Sequence, residues 1–134
     1  MQKSFNEIVE QIVEQNPRYD PEAYRFVKEA LEFTIKQRKR TLAESNQHVT
    51  AFELLDGFRQ FALKEFGPMA STVLDYWRVR ASEDVGRIVF DLIGAGVFGK
   101  TESDSLEDFR GGLDFQAAFV QPFESVRTSS RGKS

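Results

Sequence analysis

Residues 82–101 read SEDVGRIVFDLIGAGVFGKT, and how that stretch folds decides the architecture of the chain. Gly94 to Thr101 match the phosphate-loop pattern G-x-x-x-x-G-K-[ST] letter for letter, and Gly94, Gly96 and Gly99 also satisfy G-x-G-x-x-G. Such a loop hangs between a strand and a helix, so that backbone N–H groups and the helix dipole cradle the anion. The residues before it are not strand-like. Val85, Ile88, Val89, Leu92 and Ile93 recur at helical spacing behind Ser82, which reads as an N-cap. After it come Glu102, Asp104, Glu107 and Asp108, carboxylates that would repel phosphate, and only 33 residues follow Thr101. That leaves no room for the parallel sheet and metal-binding acid of a nucleotide hydrolase. The match reads as a glycine-rich helix end, and the chain as mainly α-helical.

Working outward, Arg78-Val79-Arg80 breaks the chain before this helix. Pro68 opens a short helix through Met69, Ala70, Val73, Leu74 and Trp77. A longer one precedes it, begun by a capping box at Thr50 and Glu53 and stopped at Gly67; Phe52, Leu55, Phe58, Phe61, Ala62 and Phe66 are its apolar residues. From Lys36 to Gln47 the helical pattern fails, leaving the basic run Lys36-Gln37-Arg38-Lys39-Arg40 and a polar loop. Asp20-Pro21-Glu22 starts the second helix, where Tyr24, Val27, Leu31 and Ile35 form a stripe widened by Ala23, Phe26, Ala30 and Phe33. A face that wide implies burial on two sides. The first helix opens on a capping box at Ser4 and Glu7, carries Phe5, Ile8, Val9, Ile12 and Val13, and ends at Asn16-Pro17.

Downstream, Val97 to Thr101 and Leu113 to Phe115 read as two short strands with Gly111-Gly112 as turn material; the competing reading makes Gln116 to Phe123 a final helical turn. The expected fold is thus about five helices in one compact domain over residues 1–123, with a small C-terminal β-hairpin and a disordered basic tail over 124–134. That order of elements also fits a winged helix.

Composition narrows the function. Eighteen Lys plus Arg against 21 Asp plus Glu give a net charge of −3, so bulk charge does not drive the chain onto nucleic acid or an anionic membrane. Charge is uneven, however: residues 36–80 carry 8 basic and 5 acidic groups, and residues 81–123 carry 3 and 8. With no Cys, thiol chemistry, disulfides and thiolate metal sites are excluded; with His48 as the single His, so is a His-rich metal cluster. No apolar h-region follows Met1, and the apolar run from Ile88 to Phe98 falls short of the ~20 residues of a membrane span. The expected setting is cytoplasmic. Glu102, Asp104, Glu107, Asp108 and Asp114 lack the order of a calcium loop and read as a solvated acidic loop. No nucleophile elbow or catalytic His–nucleophile pair is visible, so no catalytic residue, cofactor or metal is assigned, and the chain reads as a protein other than an enzyme.

Thirteen Phe are the compositional anomaly, and their helical spacing favours core over an exposed aromatic groove. Two functional readings remain. The leading one is a non-catalytic binding or adaptor module with a protein partner. The alternative is a winged-helix-like nucleic-acid binder, using Lys36, Arg38, Lys39 and Arg40 together with Arg78, Arg80 and Arg87, helped by Lys100 and Arg110. Glu83, Asp84 and Asp91 on the same helix, and the acidic wing, weigh against the alternative.

Pro17-Arg18-Tyr19, Ala23-Tyr24-Arg25-Phe26-Val27, Phe66-Gly67-Pro68-Met69-Ala70 and Lys100-Thr101-Glu102-Ser103-Asp104-Ser105 resemble an uncharacterised family of small bacterial proteins, seen mainly in planctomycete and verrucomicrobial genomes. The resemblance covers nearly the whole chain except the tail. It implies one compact unit and brings no activity, cofactor or site residue with it.

Overall fold

A computed structural model describes residues 4–41, 49–98 and 105–124. Helix α1, Phe5–Gln15, starts as its capping box dictates: Ser4 Oγ accepts the Glu7 N–H at 3.2 Å and the Glu7 carboxylate accepts the Ser4 N–H at 2.9 Å. It buries Val9 completely. Helix α2, Pro21–Thr41, has its first turn fixed by Pro21 and by Asp20 Oδ1, which accepts the Glu22 N–H at 2.9 Å. The helix does not stop near Ile35 but continues through the basic run. Lys, Arg and Gln are good helix formers, and cations suit the negative C-terminal end of the dipole. Ala23, Tyr24, Phe26, Val27 and Ala30 are all buried, the two-sided burial their spread implies.

Helix α3, Ala51–Phe66, begins at the Thr50–Glu53 box and ends at Gly67, whose φ of 53° only glycine adopts cheaply. It lies against α2 at very close range. A Cβ on Gly57 would sit 1.8 Å from Thr34 Oγ1, and the buried Thr34 hydroxyl donates inward to the Ala30 carbonyl at 2.7 Å. Phe26 joins the two helices: its ring lies 5.5, 5.0 and 5.3 Å from those of Phe58, Phe61 and Phe66. Trp77 packs on it at 5.4 Å from the end of the short helix α4, Ala70–Tyr76. Phe52 is the exception to the Phe-core expectation at 74% exposed.

Helix α5, Ser82–Gly94, runs through the middle, with Val85, Gly86, Ile88, Val89 and Leu92 buried. Its N-cap is Ala81, not Ser82. Ser82 turns inward and donates its hydroxyl to the Phe109 carbonyl, while Asp84 caps the helix instead, accepting the Arg80 and Ala81 N–H groups at 2.9 and 3.1 Å. Phe109 closes a short 3-10 turn, Leu106–Phe109, and fits α5 because residue 86 is glycine: a Cβ there would lie 2.7 Å from the Phe109 ring.

The expected C-terminal β-hairpin is not present: no strand occurs among the described residues. Val97 and Phe98 lie in a turn after α5, and Gly99 to Thr101 fall outside the described residues, as does the tail from residue 125. Asp114 does not alternate within a strand but starts a helical turn, its Oδ1 accepting the Gln116 and Ala117 N–H groups at 3.0 and 3.2 Å. Gln116–Val120 form a π-type turn that brings Phe115 and Phe119, four apart, onto Phe58. Three alternating residues are too short a signal to outweigh that helical pair of aromatics. No wing is formed by the described residues either. No helix among them is long and apolar enough to cross a membrane.

Candidate functional site

Two surface features collect the chemistry the core leaves over. The first lies where the α1–α2 connection meets α5. Tyr19, 2% exposed, donates its hydroxyl to Asp84 Oδ1 at 2.5 Å, and Arg87 reaches the same oxygen at 3.0 Å. With the two backbone N–H groups on its other oxygen, Asp84 takes four donors. Two turns further along α5, Asp91 Oδ2 accepts the hydroxyl of fully buried Tyr24 at 2.8 Å. The two tyrosine rings meet edge-on at 6.4 Å. Opposite, Arg78 donates Nε–H to the Arg18 carbonyl at 2.8 Å, from a backbone position with φ 67° that a non-glycine residue holds only at a cost. Beside this network opens a cleft of about 450 Å³ walled by Arg18, Tyr19, Arg87, Phe90, Asp91 and Leu106, with Asn16 and Ser105 also on its lining.

Burial first, and then donation to Asp84, push the Tyr19 phenol from its ordinary 10.0 up to about 12; burial and Asp91 push Tyr24 up as well. A phenol raised that far is a fixed donor and a poor base at neutral pH. It has a consequence for alkaline stability. Between pH 10 and about 12 the unfolded chain gives up the Tyr19 proton that the folded chain keeps, so stability falls as pH rises, by about 1.4 kcal/mol per pH unit for each such tyrosine. Phenolate absorbance and circular dichroism recorded together above pH 10 are expected to change in one step for these two rings. Their ionisation with the helices intact would show that they are not locked.

The second feature is a cleft of about 480 Å³ between α4 and the C-terminal helical turn. Its apolar lining is Leu74, Val79, Phe115, Phe119 and Val120, and on its edge Arg80 pairs with Asp75 at 2.6 Å. On the same helix, Met69 at the N-cap of α4 and Tyr76 at its end stand 55% and 74% exposed, and Thr72, between them in sequence, is exposed and lines the cleft.

Of the basic residues singled out from the sequence, the structure describes the side chains of Lys36, Arg78, Arg80, Arg87 and Arg110. Lys36 is exposed on α2. Arg38, Lys39 and Arg40 are in the helical backbone, and their side chains lie outside the described residues, as do His48 and Lys100. Arg78, Arg80 and Arg87 each have an internal partner, and Arg110 lies 3.4 Å from Glu107 and 3.9 Å from Glu83. Helix α5 carries no exposed residue before Gly94. Of the acidic segment, Asp108 and Asp114 cap turns, Glu107 faces Arg110, and Glu102 and Asp104 lie outside the described residues. No group of three or more potential ligands that could hold a metal occurs among the described residues.

Sequence reasoning passes over Tyr19, Asp84 and Asp91 as site residues and places Tyr24 in the core stripe. The signal that could have found them is the spacing of the two acids: Asp84 and Asp91 are seven apart, two turns, and so share one face of α5. The exposed Met69 and Tyr76 are likewise seven apart, on one side of α4. No known protein family, curated protein or solved structure matches the chain.

Proposed function

We propose that the chain is a non-catalytic binding module that docks an apolar segment of a partner protein along α4 and the cleft beside it. The observation that carries this reading is the exposure of Met69 and Tyr76 at the two ends of α4, the helix whose Thr72, Leu74 and Asp75 line a cleft together with Val79 and Phe119. A chain that buries most of its large apolar residues has left two of them on a short helix next to an apolar floor, and aromatic and Met side chains are the ones interfaces favour. The ion pair at the edge is internally neutralised, which suits an uncharged segment rather than a charged one. Binding is therefore expected to survive a rise from roughly 0.15 M to 1 M salt, where exposed charges are screened. The test is recovery of a bound protein from the native host in the presence of nuclease, with Met69→Ser/Tyr76→Ser as the comparison. The double variant is expected to fold normally and to lose the partner at least tenfold, the effect of about 1.4 kcal/mol from two anchors.

The nucleic-acid reading keeps one observation in its favour: α2 stays helical through residues 36–41, so the basic run is carried on a helix end. Charge reversal at Lys36, Arg38, Lys39 and Arg40 separates the two. Retained binding agrees with apolar docking; steeply salt-dependent binding that this reversal abolishes would replace it with a nucleic-acid function.

A further inference from the structure

The cleft beside Tyr19 holds opposite charges that do not meet. Arg87 and Asp91 are four apart on α5, a spacing at which an arginine and an aspartate can pair. They do not. Arg87 is drawn to Asp84, the carboxylate that also takes the Tyr19 hydroxyl, and Asp91 is held by the Tyr24 hydroxyl through Oδ2 alone. Asp91 thus keeps one oxygen with acceptor capacity and has no cation on it among the described residues. Across the same cleft the exposed Arg18 has no acidic partner among the described residues; it lies over the Tyr19 ring, its guanidinium carbon 6.0 Å from the centroid. Between these charges the wall is apolar, made by Phe90 and Leu106, and Leu106 is 37% exposed. The cleft therefore holds a cation and a carboxylate that are not paired with each other, together with an apolar wall. The space, about 450 Å³, is in the range of small-molecule sites.

We propose that this cleft binds a small zwitterion with an apolar body, the chemistry of an apolar amino acid, with its carboxylate toward Arg18 and Arg87 and its ammonium toward Asp91. An inorganic anion would satisfy the arginines and leave Asp91 repelling it; a simple amine would do the reverse. Only a ligand with both charges answers both sides, and burial of its side chain against Phe90 and Leu106 adds the apolar contribution. The inference is independent of the docking surface on α4, which lies on different residues.

The test is a titration of the full-length chain, followed through its backbone amide resonances, with leucine, phenylalanine, the dipeptide Leu-Leu, and two stripped analogues, 4-methylpentanoate without the amine and 3-methylbutylamine without the carboxylate. Saturable shifts are expected at residues 16, 18, 19, 87–91 and 105–106 with a zwitterion, at concentrations up to roughly 10 mM, enough to register a millimolar Kd. Each analogue is expected to bind at least tenfold more weakly. A tighter Leu-Leu than leucine would place the source of the ligand among short free peptides rather than free amino acids. Arg18→Gln and Asp91→Asn should each abolish the shifts while the helical signal stays unchanged. Arg18 contributes only its backbone carbonyl to the Arg78 bond, and the amide oxygen introduced by Asp91→Asn would still accept from Tyr24. The proposal is overturned if no zwitterion shifts these residues, if the carboxylate or the amine alone binds as tightly, or if both variants bind like the parent.

Discussion

Gly57→Ala is expected to cost about 3 kcal/mol and about 10 °C in Tm, although an alanine inside a helix ordinarily stabilises by ~1 kcal/mol over glycine. The reason is the distance between α2 and α3. The added methyl would lie 1.8 Å from Thr34 Oγ1, 2.9 Å from its Cβ and 3.2 Å from its Cγ2, so no rotation of the threonine clears it and the helices must part. Parting them loosens Phe26 from Phe58, Phe61 and Phe66, the ring contacts that tie the two helices together. Thr34→Ala in the same chain removes two of the three obstructing atoms and should recover at least ~1 kcal/mol of the loss, read as the coupling term of a double-mutant cycle by urea unfolding. A Gly57→Ala chain as stable as the parent would mean that the helices are not packed at this distance.

Asp84→Ala is expected to be as damaging, about 3–4 kcal/mol, through a different cause. One carboxylate, 15% exposed, receives the Tyr19 hydroxyl, the Arg87 guanidinium and the Arg80 and Ala81 backbone N–H groups. Its removal leaves a buried phenol without an acceptor and α5 without a cap, and each of these is destabilising on its own. Tyr19→Phe, which leaves the other three donors in place, should cost only ~1 kcal/mol. Equal losses for the two variants in chemical denaturation would locate the stabilisation in the phenol alone and refute the capping role of Asp84.

The contrast between these two residues also marks what can be read in the sequence. Caps are local. Ser4 with Glu7 and Thr50 with Glu53 announce themselves within four residues, and both helices begin where those pairs place them. The break at Arg78 and the stop at Gly67 are local in the same way. Asp84 caps α5 from inside the first turn, and Ser82, which has the chemistry of a cap, is drawn away by the carbonyl of Phe109 at a sequence distance no pattern registers. The hairpin expectation fails because Leu113-Asp114-Phe115 alternates, whereas Asp114 is a helix-starting acid and Phe115 and Phe119 are a helical pair. Phe52 groups with the core rings by residue type, but it lies about 100° round the helix from the buried Ala51. The cleft at Tyr19 is hidden for a further reason. Tyr24 reads as an ordinary core residue, Tyr19 belongs to no helical stripe and the acids read as surface; only the packing of α2 and the residues just before it against α5 turns them into pairs.

Those pairs join residues 65 and 67 positions apart, about half the chain. Closing so long a segment is entropically costly, so the hydroxyl–carboxylate bonds are expected to form after the local helices, with φ-values near zero for Tyr19→Phe and Tyr24→Phe. Interactions made late in folding leave the folding rate nearly unchanged and act instead on the rate of escape from the native state. On that expectation the tyrosine–aspartate pairs are latches: their removal should speed unfolding and leave the folding rate nearly as it was.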